Sequence, residues 1–239
     1  LPSDVTGIHY FNQKTGEFEF RPGPIVANIV LVDEINRATP RTQSCFLESM
    51  QERQVSADLE TVMLPRPFML LATQNPVELE GTFALPEAQL DRFLLRLSVG
   101  YPTATEESGM LERFRDSQPL DALQSVLRKD ELETLQATSR GIYVSEPVRD
   151  YITAVCRATR SDAALRLGAS PRATLALQQA SQALAGIGGR DFVIPDDVKR
   201  LAVPVLAHRV LLQTSASVHG ATNASAIERL VSSVPVPIV

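Results

Sequence analysis

Aromatic and polar residues alternate through residues 8–20, I-H-Y-F-N-Q-K-T-G-E-F-E-F, on both sides of Lys14-Thr15-Gly16. A period of two around a turn predicts a β-hairpin. A second hairpin is predicted over residues 54–64, turning at 57–60. Between them, residues 25–32 are apolar except for Asn28, a run too short for a typical helix and rich in β-branched side chains. Such a run predicts a strand buried on both faces. Residues 68–73 (F-M-L-L-A-T) and 93–99 (F-L-L-R-L-S-V) read the same way. Helices are predicted in between. Thr39-Pro40 offers an N-cap and an N1 proline for a helix reaching Gln51, and Pro86 opens a shorter one to Asp91. Buried strands separated by helices imply an α/β unit with a parallel sheet covered on both faces.

After Tyr101-Pro102 the period changes from two to 3.6, which places a domain boundary there: an α/β unit over residues 1–101 and a helical unit over 102–239. Ser145 caps a helix whose Val148, Tyr151, Ile152 and Val155 fall at i, i+3, i+4 and i+7, one apolar face. Ser170-Pro171 opens another, which the glycines of residues 186–189 end. Pro195-Asp196-Asp197 starts a third that Pro204 should kink or end early. A last helix is predicted over residues 223–234, where Val-Pro-Val-Pro stops it.

Composition narrows the function classes. The chain has 239 residues, 44% hydrophobic and 21% charged, as in ordinary globular proteins, and no apolar run long enough to cross a bilayer. The N-terminal Leu-Pro-Ser-Asp is not a signal peptide, so a cytoplasmic protein is expected. Two cysteines, Cys45 and Cys156, each within a predicted helix, imply reduced thiols rather than a disulfide framework. His9, His208 and His219 lack metal-ligand spacing. A net charge of -5 gives no general pull toward nucleic acid.

Four polar segments carry candidate chemistry. The first, L-V-D-E-I-N-R-A at residues 31–38, puts two carboxylates where a predicted strand ends, and ligands of open α/β sheets bind outside the carboxyl ends of strands. Side chains alternate there, so the two acids need not share a task. Asp33 can hold a hydrated Mg²⁺, directly or through water, and Glu34 can polarise a water for attack on a γ-phosphate. The plainer alternative is an acidic turn closing a strand. The second segment, A-T-Q-N-P at residues 72–76, ends the next strand at the same sheet edge. Asn75 could orient the attacking water or touch the phosphate, since an amide both donates and accepts; its alternative is a turn asparagine before proline.

In the third, L-P-E-A-Q-L-D-R-F at residues 85–93, Arg92 stands at a predicted helix-to-strand junction, able to reach a phosphate held by a neighbouring subunit or else to form a surface pair with Asp91. The fourth, G-A-S-P-R-A-T at residues 168–174, puts Arg172 in the first turn of a helix. A cation there opposes the helix dipole and so asks for an anionic partner such as ATP phosphate.

In this order, the four segments resemble the AAA+ superfamily, and their wording resembles its MoxR family. D-E-I-N-R-A looks like the family's Walker B motif, A-T-Q-N-P its sensor 1, L-P-E-A-Q-L-D-R-F its arginine-finger region and G-A-S-P-R-A its sensor 2. The similarity also runs through L-P-S-D-V-T-G, G-P-I-V-A-N, L-E-S-M-Q-E-R-Q-V and G-R-D-F-V-I-P-D-D-V, nearly the whole chain. The resemblance implies an AAA+ parallel-sheet core followed by an all-α lid, and ATP and Mg²⁺ as cofactors. It assigns Asp33 to the metal, Glu34 and Asn75 to hydrolysis, Arg92 to a neighbour's site, and Arg172 to its own subunit or a neighbour's. It further implies a ring, a hexamer in the family, and chaperone-like remodelling of protein clients, often with a von Willebrand factor A domain partner. The first hairpin would be the helix-2 insert and the second the pre-sensor hairpin, both turned toward the ring's pore.

The departure from the family is the absence of any G-x-x-x-x-G-K-[ST] in the 239 residues; A-G-I-G-G-R at 185–190 lacks the Lys-Ser/Thr. In family order that loop, with its strand and helix, belongs before Leu1. A fragment without it is expected to bind ATP poorly and hydrolyse essentially none. Two other classes stay open on the residues: a nucleotide-insensitive scaffold that keeps the fold for assembly, and a DNA-acting motor.

Overall fold

The structure, a computed structural model, describes residues 1–57, 60–75, 81–115 and 118–237. A short helix α1 (Pro2–Thr6) leads into the antiparallel hairpin β1 (Gly7–Asn12) and β2 (Glu17–Pro22), with Phe11 opposite Phe18. Their rings meet edge to face at 5.3 Å, a cross-strand aromatic pair. At the hairpin's neck the backbones pass so closely that a Cβ on Gly23 would lie 2.2 Å from the Val5 carbonyl oxygen, a place only glycine fills.

Strand β3 (Ile29–Val32) is followed by α2 (Pro40–Glu52), which begins as its residues dictate: Thr39 accepts from the Thr42 amide and Pro40 takes N1. The second hairpin, β4 (Gln54–Ala57) with β5 (Glu60–Met63), pairs as expected, its turn at 58–59 lying outside the described residues. Strand β6 (Met69–Ala72) then runs parallel to β3, with Val32 level with Ala72, and α3 (Glu87–Leu90) closes the α/β part. One face of this pair, with α2, buries Ile25, Val30, Ile35, Phe46, Val55, Leu64, Phe68 and Leu85. Each such side chain contributes roughly 1.5–3 kcal/mol on burial.

Three expectations need correction. The strand expected over 25–32 starts only at Ile29, because residues 24–28 turn. Neither parallel strand is buried on both faces: Ile29 and Leu31 are 64% and 66% exposed, Met69 and Leu71 54% and 43%. A continuous apolar run shows that both faces of a strand are apolar, not that a layer covers each. The third strand, at 93–99, does not form. Among the described residues no strand lies beside it to complete a ladder, and its Arg96 amide donates instead to the Pro204 carbonyl.

From α4 (Ala104–Arg113) and α5 (Lys129–Arg140) onward the chain is mainly helical. The central layer is α6 (Glu146–Ser161), α7 (Pro171–Ile187), α8 (Pro195–Leu206) and α10 (Asn223–Ser233), packed around a core of their own with Val148, Tyr151, Ile152 and Val155 buried as the periodicity required. Pro204 sits inside α8, which ends two residues later in a tight turn over Ala207–Arg209. Unanticipated are a short antiparallel pair, β7 (Leu165–Leu167) with β8 (Leu211–Leu212), and a five-residue helix α9 (Thr214–Val218). Cys45 and Cys156 are free thiols in α2 and α6. Among the described residues, no helix is long and apolar enough to cross a membrane.

Candidate functional site

Because β3 and β6 are parallel neighbours in register, their carboxyl ends lie side by side, and the polar residues following each strand share one sheet edge. Asp33 follows β3 and Thr73 follows β6. The Thr73 hydroxyl donates to Asp33 Oδ1 and accepts from the Glu34 amide at 2.8 Å. Glu34 has φ 50° and ψ 53°, the left-handed region that a β-carbon disfavours. Its backbone is held there from both sides, since the next amide, Ile35 N, donates to the Thr73 carbonyl at 3.0 Å. The Glu34 side chain is turned to Arg37, Oε2 to Nε 2.9 Å.

Two buried amides build the rest of this edge. Gln43, fully enclosed in α2, donates to the carbonyls of Ile35, Ala38 and Phe83 at 3.0–3.3 Å, tying the loop after the acidic pair to the helix and to the segment after residue 80. Asn36 donates to the Asn75 carbonyl at 3.4 Å, so Asn75 is drawn to the loop that carries Asp33 and Glu34. Pro76, the end of the A-T-Q-N-P segment, lies outside the described residues. Asp33, Glu34 and Asn75 thus occupy one edge. Thr73, Asn36 and Gln43 were missed as builders of it, although a glutamine on the buried stripe of α2 was a legible signal.

The arginines form a second cluster. Arg92 donates to the Leu47 carbonyl at 3.3 Å, and Arg92 and Arg172 together line a cavity of about 190 Å³ with Met50 and Gln51. This is the carboxyl end of α2, and ten residues of helix separate Pro40 from Met50, a rise of roughly 15 Å. The structure therefore brings the two arginines to each other but not to the carboxylates. Arg92 is at the end of a helix, as expected, but not at a helix-to-strand junction, since no strand follows.

Asp91 joins this cluster to the helical unit. It accepts from Ser170 Oγ at 3.0 and 3.1 Å and lies 3.4 Å from both Arg172 Nη1 and Arg209 Nε. The alternative of an Asp91–Arg92 surface pair is thus replaced by pairs to Arg172 and Arg209. Next to it, the Phe93 carbonyl accepts from Arg209 Nη2 at 2.6 Å and from His208 Nε2 at 3.0 Å. Burial pulls the Arg209 guanidinium below its usual range, against the Asp91 charge that favours it. The loop before α7 is equally constrained: a Cβ on Gly168 would meet the α6 backbone at 2.7 Å, and the Ala169 amide donates to Thr159 Oγ1.

The donor set at the acidic edge fits Mg²⁺ in the manner of a nucleotide site. Mg²⁺ keeps most of its waters and takes one or two carboxylates with substrate phosphates. Asp33 is exposed at the strand tip with one oxygen engaged by Thr73. Among the described residues no group of three His, Cys, Asp or Glu forms a cage that would hold a metal unaided. A glycine-rich loop to cradle phosphates is absent from residues 1–239.

Comparison with known proteins agrees with this layout. Residues 1–95 match the family model for ATPases associated with various cellular activities (AAA), and residues 157–230 the model of the AAA lid domain. The uncharacterized protein YeaC of Bacillus subtilis is 46% identical over all of this chain and 74% of its own length. Chaperone MoxR1 of Mycobacterium tuberculosis is 40% identical over 99% of this chain and 65% of its own. Protein MoxR of Paracoccus denitrificans is 32% identical over 89% and 69%. The crystal structure of an inferred ATPase from Cytophaga hutchinsonii superposes with a TM-score of 0.91 at 35% identity, covering 100% of this chain and 75% of that one. With a parallel α/β core, a helical lid and these relatives, the chain belongs to the MoxR family of AAA+ ATPases.

Proposed function

We propose that this chain carries the hydrolysis residues of a ring-forming ATPase subunit whose ATP turnover drives chaperone-like remodelling of protein complexes. In this reading residues 1–101 are the α/β core and 102–239 the lid. Asp33 would hold Mg²⁺, which would neutralise charge on the ATP phosphates; Glu34, released from Arg37, would take a proton from the attacking water, and Asn75 would orient that water. ATP and Mg²⁺ are the cofactors. The clients are proteins, with a von Willebrand factor A domain protein as the partner that the family resemblance implies; the relative named a chaperone supports this class of work.

The observation that carries the reading is the separation of charges along α2. Asp33 and Glu34 precede its amino end, whereas Arg92 and Arg172 line one cavity at its carboxyl end. In this reading, cations held at the other end of α2 from their own subunit's acidic pair serve a phosphate bound by the next subunit. We therefore place both arginines in trans, which makes a closed ring, a hexamer in the family resemblance, the active form.

The test is subunit mixing in the full-length protein as its gene encodes it. Glu34→Gln keeps the side chain's shape and removes the base, so ATP binding persists and turnover is lost. Arg92→Ala is likewise inactive alone. Mixed rings should recover part of the activity, because some interfaces then pair an intact Glu34 with an intact Arg92. No recovery at any mixing ratio refutes action in trans, and undiminished turnover in Glu34→Gln refutes the assignment of the base.

A further inference from the structure

We infer that Thr73 is a positioning residue that sets the Asp33 carboxylate and the Glu34 backbone for Mg²⁺–nucleotide binding, an inference that rests on the site reading above. Four hydrogen bonds centre on this residue. Its amide donates to the Val32 carbonyl at 3.0 Å and its carbonyl accepts from Ile35 N at 3.0 Å, the last rungs between β3 and the end of β6. Its hydroxyl accepts from Glu34 N at 2.8 Å and donates to Asp33 Oδ1.

The donor direction of the last bond follows from chemistry. An ionised carboxylate only accepts and a hydroxyl has one proton, so that proton is committed to Asp33. The backbone rungs could be made by any residue other than proline. The two hydroxyl bonds need Ser or Thr.

Thr73 and Asp33 are both exposed. A hydroxyl–carboxylate bond at such a place replaces bonds to water and adds little to folding stability. What it supplies is geometry. It confines Asp33 to one side-chain rotamer, with Oδ1 turned to β6 and Oδ2 left for a hydrated cation. Together with the Ile35 rung it also keeps Glu34 in its left-handed conformation, which directs the neighbouring side chain. Choosing one of three staggered χ1 wells is worth roughly threefold in affinity, and loss of the Glu34 anchor adds to that.

The test uses the full-length protein and a fluorescent ATP analogue, titrated with Mg²⁺ and also bound without it. Thr73→Val keeps the shape and removes the hydroxyl. It should raise the Mg²⁺ concentration for half-maximal tight binding about three- to tenfold, up to about 1.4 kcal/mol. Binding without Mg²⁺ and the melting temperature should stay as in the wild type, and Thr73→Ser should restore the Mg²⁺ response. An unchanged Mg²⁺ response in Thr73→Val, or no restoration by Ser, overturns the inference. If Thr73→Val does not fold, Thr73→Ala carries the same comparison. Asp33→Asn separates the two layers of argument. If it too leaves the Mg²⁺ response untouched, the site reading fails; if it abolishes the response while Thr73→Val is silent, only the role of Thr73 falls.

Discussion

Replacing Asp91 with Asn should loosen the attachment of the Arg92 segment to the lid. The Arg209 side chain is 2% exposed and that of Asp91 18%, so their pair is largely shielded from water. Arg209 Nη2 keeps its bond to the Phe93 carbonyl in the variant, but a neutral amide no longer compensates the guanidinium charge. Removing one partner of a buried pair costs about 3–5 kcal/mol, and the 3.4 Å contact with partial exposure of Asp91 puts this case at the lower end, about 3 kcal/mol. The pair with Arg172, whose side chain is 47% exposed, adds less than about 1 kcal/mol. In a chain of this size, where each kcal/mol moves the midpoint by about 2–4 °C, the melting temperature should fall by roughly 6–12 °C. Circular dichroism at the helix band follows the transition. Adding Arg209→Met removes the orphaned charge and should recover half or more of the loss. A single variant melting within about 2 °C of wild type, or a double variant no better than the single, would show that this contact is not a buried pair in the energetic sense.

Two other predictions concern pH. Burial would raise the Asp197 carboxyl, but the two Arg190 hydrogen bonds, at 2.6 and 2.7 Å, and the Ile194 amide outweigh it and hold it below the usual range. A lowered carboxyl pKa stabilises the fold above the unfolded value and loses that contribution as pH falls. Asp197→Asn should therefore cost about 2–3 kcal/mol at neutral pH, with the gap to wild type closing only below about pH 4; a gap that stays constant in denaturant titrations carried well below about pH 4 would refute the pairing. For His208, burial pulls the imidazole down, the Phe93 carbonyl opposes this, and Arg209 and Arg96 pull further down against Asp91. Below about pH 6.5 the unfolded chain takes a proton that the folded one resists, so stability should drop by up to about 1.4 kcal/mol per pH unit. His208→Gln should flatten that slope, and an identical slope would assign the pH dependence elsewhere.

Much of the architecture was legible in local patterns. The alternation around Lys14-Thr15-Gly16 became β1–β2, Thr39-Pro40 became the start of α2, and the apolar face from Val148 to Val155 became the core face of α6. The placement of Asp33, Glu34 and Asn75 at one edge was legible too, because strands joined through a helix run parallel and end on the same side. These are all consequences of short-range periodicity and of chain direction.

Other features were decided only when distant segments met. Residues 93–99 have the composition of a strand, yet a strand is defined by a neighbour's hydrogen bonds, and none lies beside it among the described residues. Burial on two faces likewise depends on what packs against Leu31 and Leu71, not on their own hydrophobicity. Thr73 meets Asp33 across 40 residues, and Ser170 and Arg172 meet Asp91 across 79 and 81. The sequence by itself determined which side chains stand at strand tips and helix starts, since those positions follow from local periodicity and capping. Only the tertiary structure decided that the arginines gather at the far end of α2 from the carboxylates, because that depends on how the lid's Ser170, His208 and Arg209 capture Asp91 and Phe93.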